Sequence, residues 1–304
     1  MSMSWLPRAG LPIRRACCRR ALHTSLAVRE DKPEHEKVLL PDPDRNVPYE
    51  EPYSHEALPY LSRPLGVRER PTTVRKSMKE KLAAYLDYDK IVADRRHLVK
   101  EASKGYFHDL NVTRRHGGKT WIAPKSLIRT DQSLYFPDIE GKNLNGQMKH
   151  TTDMCIGRVS IVAMITTQIS EIHAKGFTQT TVNRFSSNPL FQYVQINLQE
   201  NMLKSLLVNL FVSNLQKTIP KELHHAYLVS SQNMEYEREP LAMTNSRIGY
   251  VFLVDEDLKV RWGGCADAMP EEEQALEVCT GVLLKRLEER RAQEVDQASS
   301  NAST

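Results

Sequence analysis

A nearly continuous apolar run of seven residues, Val159-Ser160-Ile161-Val162-Ala163-Met164-Ile165, constrains this chain more than any other feature. It falls far short of the roughly 20 residues a membrane-spanning helix needs. It also lacks the polar alternation of a strand with one wet face, so it reads as a strand covered on both sides. Such a strand needs helices or other chain packed above and below it. With 304 residues, of which 40% are hydrophobic, the chain has the material for that core.

Beyond Ile165 the pattern stays regular. A helix is expected over 168–175, ending at Gly176, then a strand over 193–198 in which Val194, Ile196 and Leu198 alternate with Gln195 and Asn197. Leu203, Leu206, Leu207, Leu210 and Phe211 mark one face of a helix over 202–217, bounded by Pro220, and 226–229 reads as a third strand. Strand, helix, strand, helix, strand implies a mostly parallel sheet. Two further strands, over 250–254 and 258–262, are separated only by Asp255-Glu256-Asp257, a link so short that they must be antiparallel. In the second, Leu258, Val260 and Trp262 are expected on one side and Lys259 and Arg261 on the other. A last helix starts at Pro270, with Glu271, Glu272 and Glu273 at its positive end and Lys285, Arg286, Arg290 and Arg291 toward its negative end. A parallel unit, a hairpin and a helix make an α/β, thioredoxin-like mixed sheet with flanking helices, expected over 131–291.

That plan says where chemistry would sit. A redox thiol belongs just after the first core strand, at a helix N-terminus that lowers its pKa. Thr166-Thr167-Gln168-Ile169-Ser170 stands there, and Asn245-Ser246-Arg247-Ile248-Gly249 replaces the proline that normally precedes the hairpin. The five cysteines (Cys17, Cys18, Cys155, Cys265, Cys279) contain no C-x-x-C pair. No catalytic, cofactor-binding or metal-binding residue is expected, and the chain is read as a non-enzyme.

Charge divides the chain into parts. Residues 1–29 hold six arginines, no lysine and no acid, the composition of a cleavable mitochondrial transit peptide, with Glu30 as the expected mature start. Residues 30–70 carry seven prolines and read as an extended linker. Residues 71–130 read as a basic helical segment in which Met78, Leu82, Tyr85 and Leu86 recur near helical spacing; 62–130 has 17 basic against 7 acidic side chains. This segment could lie on anionic lipid, hold RNA phosphates or dock on its own domain. Residues 292–304 are expected to be a disordered tail.

The residues Leu134-Tyr135-Phe136-Pro137, Gly141 and Leu144, Gln195-Ile196-Asn197 with Glu200-Asn201, and Gly249-Tyr250-Val251-Phe252-Leu253-Val254-Asp255 through Lys259-Val260-Arg261-Trp262 to Cys265 carry a family resemblance. Over about 134–287 the chain resembles the mitochondrial ATP synthase assembly factors known as ATPase complex subunit ten. The resemblance implies a non-enzymatic factor on the matrix face of the inner membrane. There it would help subunit a of the membrane sector (Fo) join the subunit c ring. A matrix thioredoxin- or peroxiredoxin-like redox enzyme and an RNA-binding accessory of the mitochondrial ribosome are the competing readings.

Four residues are candidates for partner contact. Tyr250, Arg261, Trp262 and Cys265 either form a client groove, since aromatic residues and arginine dominate interfaces, or simply finish the sheet. Gly263-Gly264 suggests an exposed, mobile backbone beside Cys265, whereas Cys279, between Leu276 and Leu283, reads as core. A Cys155–Cys265 pair, or metal binding with His224 and His225, matches no zinc spacing. His116-Gly117-Gly118-Lys119-Thr120 ends like a phosphate-binding loop but lacks the first glycine of that motif at Thr113, and so reads as a basic loop.

Overall fold

A computed structural model describes residues 57–74, 86, 92, 95, 96, 99, 116–199, 212 and 215–302. Tyr53–Thr304 form one compact unit. The expected transit peptide and most of the proline-rich stretch and basic helix lie outside the described residues, although Leu86, Val92, Arg95, Arg96 and Val99 are helical. The helix expected over 202–217 also lies largely outside them; Val212 and residues 215–218 at its end are helical.

The elements run β1 (Glu140–Asn143), β2 (Met148–His150), α1 (Thr151–Cys155), β3 (Val159–Ile165), α2 (Gln168–Phe185), β4 (Phe191–Leu198), β5 (Tyr227–Ser230), α3 (Glu235–Arg238), β6 (Tyr250–Val254), β7 (Val260–Cys265) and α4 (Pro270–Ala302). They build a seven-stranded sheet in the order β2-β1-β5-β4-β3-β6-β7. Strand β3, the apolar run, lies inside the sheet with every residue buried, pairing parallel with β4 and antiparallel with β6. β5 continues the parallel half beside β4, and β7 closes the other side antiparallel to β6. The parallel β3-α2-β4 unit, the β6–β7 hairpin beside β3 and the closing α4 are the thioredoxin-like arrangement the sequence implies. Helix α2 packs against α4, β3 and β6.

β4 starts two residues earlier and β5 one residue later than expected, and four larger differences each have a physical reason. Helix α2 does not stop at Gly176 but continues to Phe185. Phe177, Thr178 and Thr181 are buried in that extension, which offsets the roughly 1 kcal/mol that an interior glycine costs. The hairpin's second strand starts at Val260 and runs to Cys265, because Asp255 Oδ1 accepts from the backbone N–H groups of Asp257 and Lys259 and shapes a longer turn. Helix α4 passes through 292–302, in place of the expected disordered tail. That stretch has no glycine or proline and is rich in helix formers, so the helix propagates although its described side chains are exposed.

The fourth difference is the largest. The compact unit does not begin near 131, since Leu65, Trp121 and Ala123, from the stretches expected to be linker and basic segment, are core residues. Leu61 and Ile122 are joined through the backbone, as are Val67 and Tyr135. Farther on, Ile128 N donates to Arg261 O, Val260 N to Leu134 O and Phe136 N to Leu258 O. The flank thus covers the outer edge of β7, which would otherwise offer a row of unpaired backbone groups.

Candidate functional site

In a thioredoxin-like fold the junction between β3 and α2 is the place to look for chemistry. Here it is a capped helix end. Thr167 Oγ1 accepts from Ser170 N at 3.2 Å, and Ser170 Oγ accepts from the backbone N–H groups of Thr166 and Thr167 at 2.8 Å while donating to Thr167 O at 2.6 Å. Both hydroxyls are spent on satisfying the helix's first donors. The loop 245–249 is stitched to the same end. Thr166 Oγ1 donates to Ser246 O at 2.7 Å, Thr167 Oγ1 donates to Arg247 O at 3.2 Å, and Gly249 N donates to His173 Nδ1 at 3.3 Å. A Cβ at Gly249 would lie 2.3 Å from Ser170 O, so only glycine allows this approach. Around this closed junction two large apolar side chains remain in solvent, Ile169 at 56% and Ile172 at 62% exposure.

The residues expected from sequence to make partner contact are placed elsewhere. Tyr250, Arg261, Trp262 and Cys265 are brought close together, but all four are buried. Tyr250 Oη donates to Asn245 O at 3.0 Å. Arg261 pairs with Asp255 at 3.0 Å and donates to Ile128 O at 2.9 Å. Trp262 Nε1 donates to Pro124 O at 2.7 Å, with its ring edge-on to Phe177. They finish the sheet and fasten the flank to it, and they present no groove. Arg261 points inward because the flank supplies a carbonyl and the turn a carboxylate, neither of which alternation along one strand can reveal.

The described thiols are equally enclosed. Cys155, Cys265 and Cys279 are free and buried, and burial pushes the Cys155 and Cys279 thiols up to about 11 and raises that of Cys265. All three are held as weakly nucleophilic thiols. Gly263 and Gly264 serve packing, not mobility: a Cβ at the first would meet Leu65 at 2.5 Å, and at the second Phe177 at 2.8 Å. Among the described residues no group of His, Cys, Asp or Glu is arranged to hold a metal ion.

Sequence reasoning misses the role of Lys119. It is no part of a basic surface loop: its ammonium is buried, 2.6 Å from Glu272 Oε2, and donates to the carbonyls of Asp267 and Cys265. Glu272 in turn accepts from Ala123 N and Met269 N, so one ion pair ties the flank, the end of β7 and the start of α4 together. A second polar cluster borders a cavity of about 650 Å³ between 67–74 and the β1–β2 side of the sheet. There Asp138 holds His150 at 2.7 Å and accepts from Thr152. Its members satisfy one another.

Comparison with known proteins adds the family to this geometry. Residues 47–283 match the model of the family described as ATP10 protein. The chain is 31% identical over 234 residues to the mitochondrial ATPase complex subunit ATP10 of Saccharomyces cerevisiae, covering 71% of this chain and 84% of the relative. It is 30% identical over 191 residues to the protein of that name from Candida glabrata, covering 61% and 70%. Among solved structures it is similar to a secreted thiol-disulfide isomerase from Corynebacterium glutamicum, at 12% identity and a TM-score of 0.38 over 53% of this chain and 92% of that one. A putative thiol:disulfide interchange protein DsbE from Chlorobium tepidum gives 15% and 0.37 over 49% and 95%. With more than half its length matched by the family model, the chain belongs to the ATP10 protein family.

Proposed function

We propose that this chain is an assembly factor for mitochondrial ATP synthase. It would be imported by its arginine-rich N-terminus and act on the matrix face of the inner membrane, where it helps newly made subunit a join the subunit c ring of the membrane sector. The observation that carries the reading is membership of a family whose relatives bear the name mitochondrial ATPase complex subunit. The site supports binding over redox chemistry, because the β3–α2 junction holds a hydroxyl-capped helix and the described thiols are buried. Exposed Ile169 and Ile172 beside that junction offer the apolar contact that a client with unpaired membrane helices would seek.

Deleting the protein should leave the soluble catalytic head assembled and abolish oligomycin-sensitive ATPase activity. Expressing Ile169→Ser/Ile172→Ser in the null strain should lower crosslinking to newly translated subunit a several-fold, without loss of folding. Intact oligomycin-sensitive enzyme in the null strain refutes the proposal.

A further inference from the structure

Helix α2 exposes three charged side chains, Glu171, Lys175 and Arg184, yet none lies on the middle of its outer face. At 3.6 residues per turn, Ile169, Ile172, Gly176, Gln179, Thr180 and Asn183 share an arc of about 100°, with Lys175 and Arg184 about 40° beyond its two borders. All six are exposed, the isoleucines at 56% and 62%. Charges from the neighbouring α4 side keep to one border: Asp267 faces His173, Glu273 holds Thr180 and Glu277 holds Arg184. A helix face turned to water ordinarily carries charge, so this one calls for an explanation.

Gly176 sits near the centre of the arc, one turn from Ile172 and one from Thr180. The fold makes no demand for glycine there. Among the described residues a Cβ would meet only Ala268 Cβ, at 3.9 Å, an ordinary van der Waals contact, whereas Gly249, Gly263 and Gly264 have neighbours closer than 3.0 Å. Alanine would strengthen the helix. What the missing side chain supplies is a notch on the solvent side, where a second helix can bring its backbone close. The rest of the face says which kind of helix. Isoleucine, glycine, threonine and amide side chains are residue types through which helices meet inside a bilayer, small ones for close approach and uncharged polar ones for hydrogen bonds. Gln179 Nε2 already donates to Asn183 Oδ1 along the face at 3.0 Å. Charge complementarity agrees: an acidic or basic segment would find no opposite charge within the arc and would bury its own unpaired, whereas an uncharged apolar helix buries none.

We propose that the outer face of α2 seats an uncharged apolar helix of the client, which crosses α2 at Gly176 with Ile169 and Ile172 on one side of the crossing and Gln179 and Asn183 on the other. This rests on the reading of the protein as a membrane-sector assembly factor and names the kind of client segment that the β3–α2 end receives. The face stands in for the helix partner that a membrane segment lacks before it reaches its place in the complex.

The test is binding of the full chain to a fluorescent leucine-alanine peptide of about 20 residues, the length of a membrane helix, held in dodecylmaltoside micelles and read by anisotropy. Gly176→Leu, which fills the notch, and Gln179→Lys, which puts a charge into the face, should each weaken binding about tenfold, the scale of a central interface residue. Lys175→Gln, outside the arc, should bind as the parent does. The thermal midpoint of Gly176→Leu should stay at or above the parent's, since leucine is the better helix former. A parent that does not bind the peptide, or Gly176→Leu and Gln179→Lys proteins that bind it as the parent does, overturns the proposal. So does equal binding of a glutamate-rich or lysine-rich amphipathic helix, or a dimer of the parent that Gly176→Leu dissolves, which would make the face a contact between copies. The peptide is not the client, so failure here leaves the assembly reading to the null strain, and intact enzyme in that strain sinks the assembly reading without altering the peptide result.

Discussion

Lys119 shows what a single buried charge does in this fold. Its partners are Glu272, Asp267 and Cys265, and Glu272 also receives two backbone N–H groups. Removing one member of such a pair leaves the other charged and unpaired in a dry site. Lys119→Met should therefore cost about 3 kcal/mol, a Tm drop of about 10 °C for a unit of this size, measured by thermal denaturation. A loss under about 1 kcal/mol would mean that the pair is open to solvent. His173 is a second buried polar residue with a measurable signature. Burial lowers its pKa from 6.5, opposed by Asp267 and assisted by Lys119, and Nδ1 must be unprotonated to accept from Gly249 N. The folded state thus prefers the neutral ring. Its contribution is complete above about pH 6.5 and is lost as pH falls from there through the lower folded value. Parent and His173→Asn should accordingly show stability curves that converge as pH falls below about 6.5, whereas a constant gap would show that protonation is not coupled to this contact. Neither residue advertises this in sequence: Lys119 sits in a run resembling a phosphate loop, and His173 is one polar position on a helix.

Elements are more legible than their ends. The seven-residue run, the alternation after it and the short acidic turn each identify a strand by local rules, and β3, β4 and β6 lie where these rules put them. Helix ends depend on what the helix touches. Gly176 passes as an interior residue because buried Phe177 and Thr181 follow it, and α4 continues past its last core contact, Leu287, for about four turns. The side chains described beyond Arg291 are exposed, so truncation after that residue should leave Tm within about 2 °C of the full chain, since surface residues away from caps and ion pairs contribute little. A larger fall would reveal a contact made by that end of the helix.

At the scale of the whole molecule, the folded unit begins far upstream of where composition places it. Charge and proline content divide the chain at 131, whereas Leu65 and Trp121 fill space over Gly263 and the 128–136 stretch covers the β7 edge. A fragment of 131–304 should expose this apolar surface and the part of the β7 edge at Arg261 that Ile128 covers. It is expected to aggregate or to lack a cooperative thermal transition, while 53–304 unfolds in one step; calorimetry of the two fragments checks this. The family resemblance, carried mainly by 249–265, is borne out by the family match over 47–283, which extends well upstream of the region that suggests it.

Local pattern suffices for the parallel unit, the antiparallel hairpin, the thioredoxin-like order and the family, because periodicity and short connections act over a few residues and leave a readable trace. Which residues form a surface is settled by the folded chain alone. Tyr250, Arg261, Trp262 and Cys265 carry the chemistry of an interface but are buried, whereas Ile169 and Ile172, which look like ordinary helix residues, are left in solvent. Exposure depends on what distant chain folds across a position, and here the cover comes from the flank at 59–74 and 119–136, more than a hundred residues away from the hairpin it encloses.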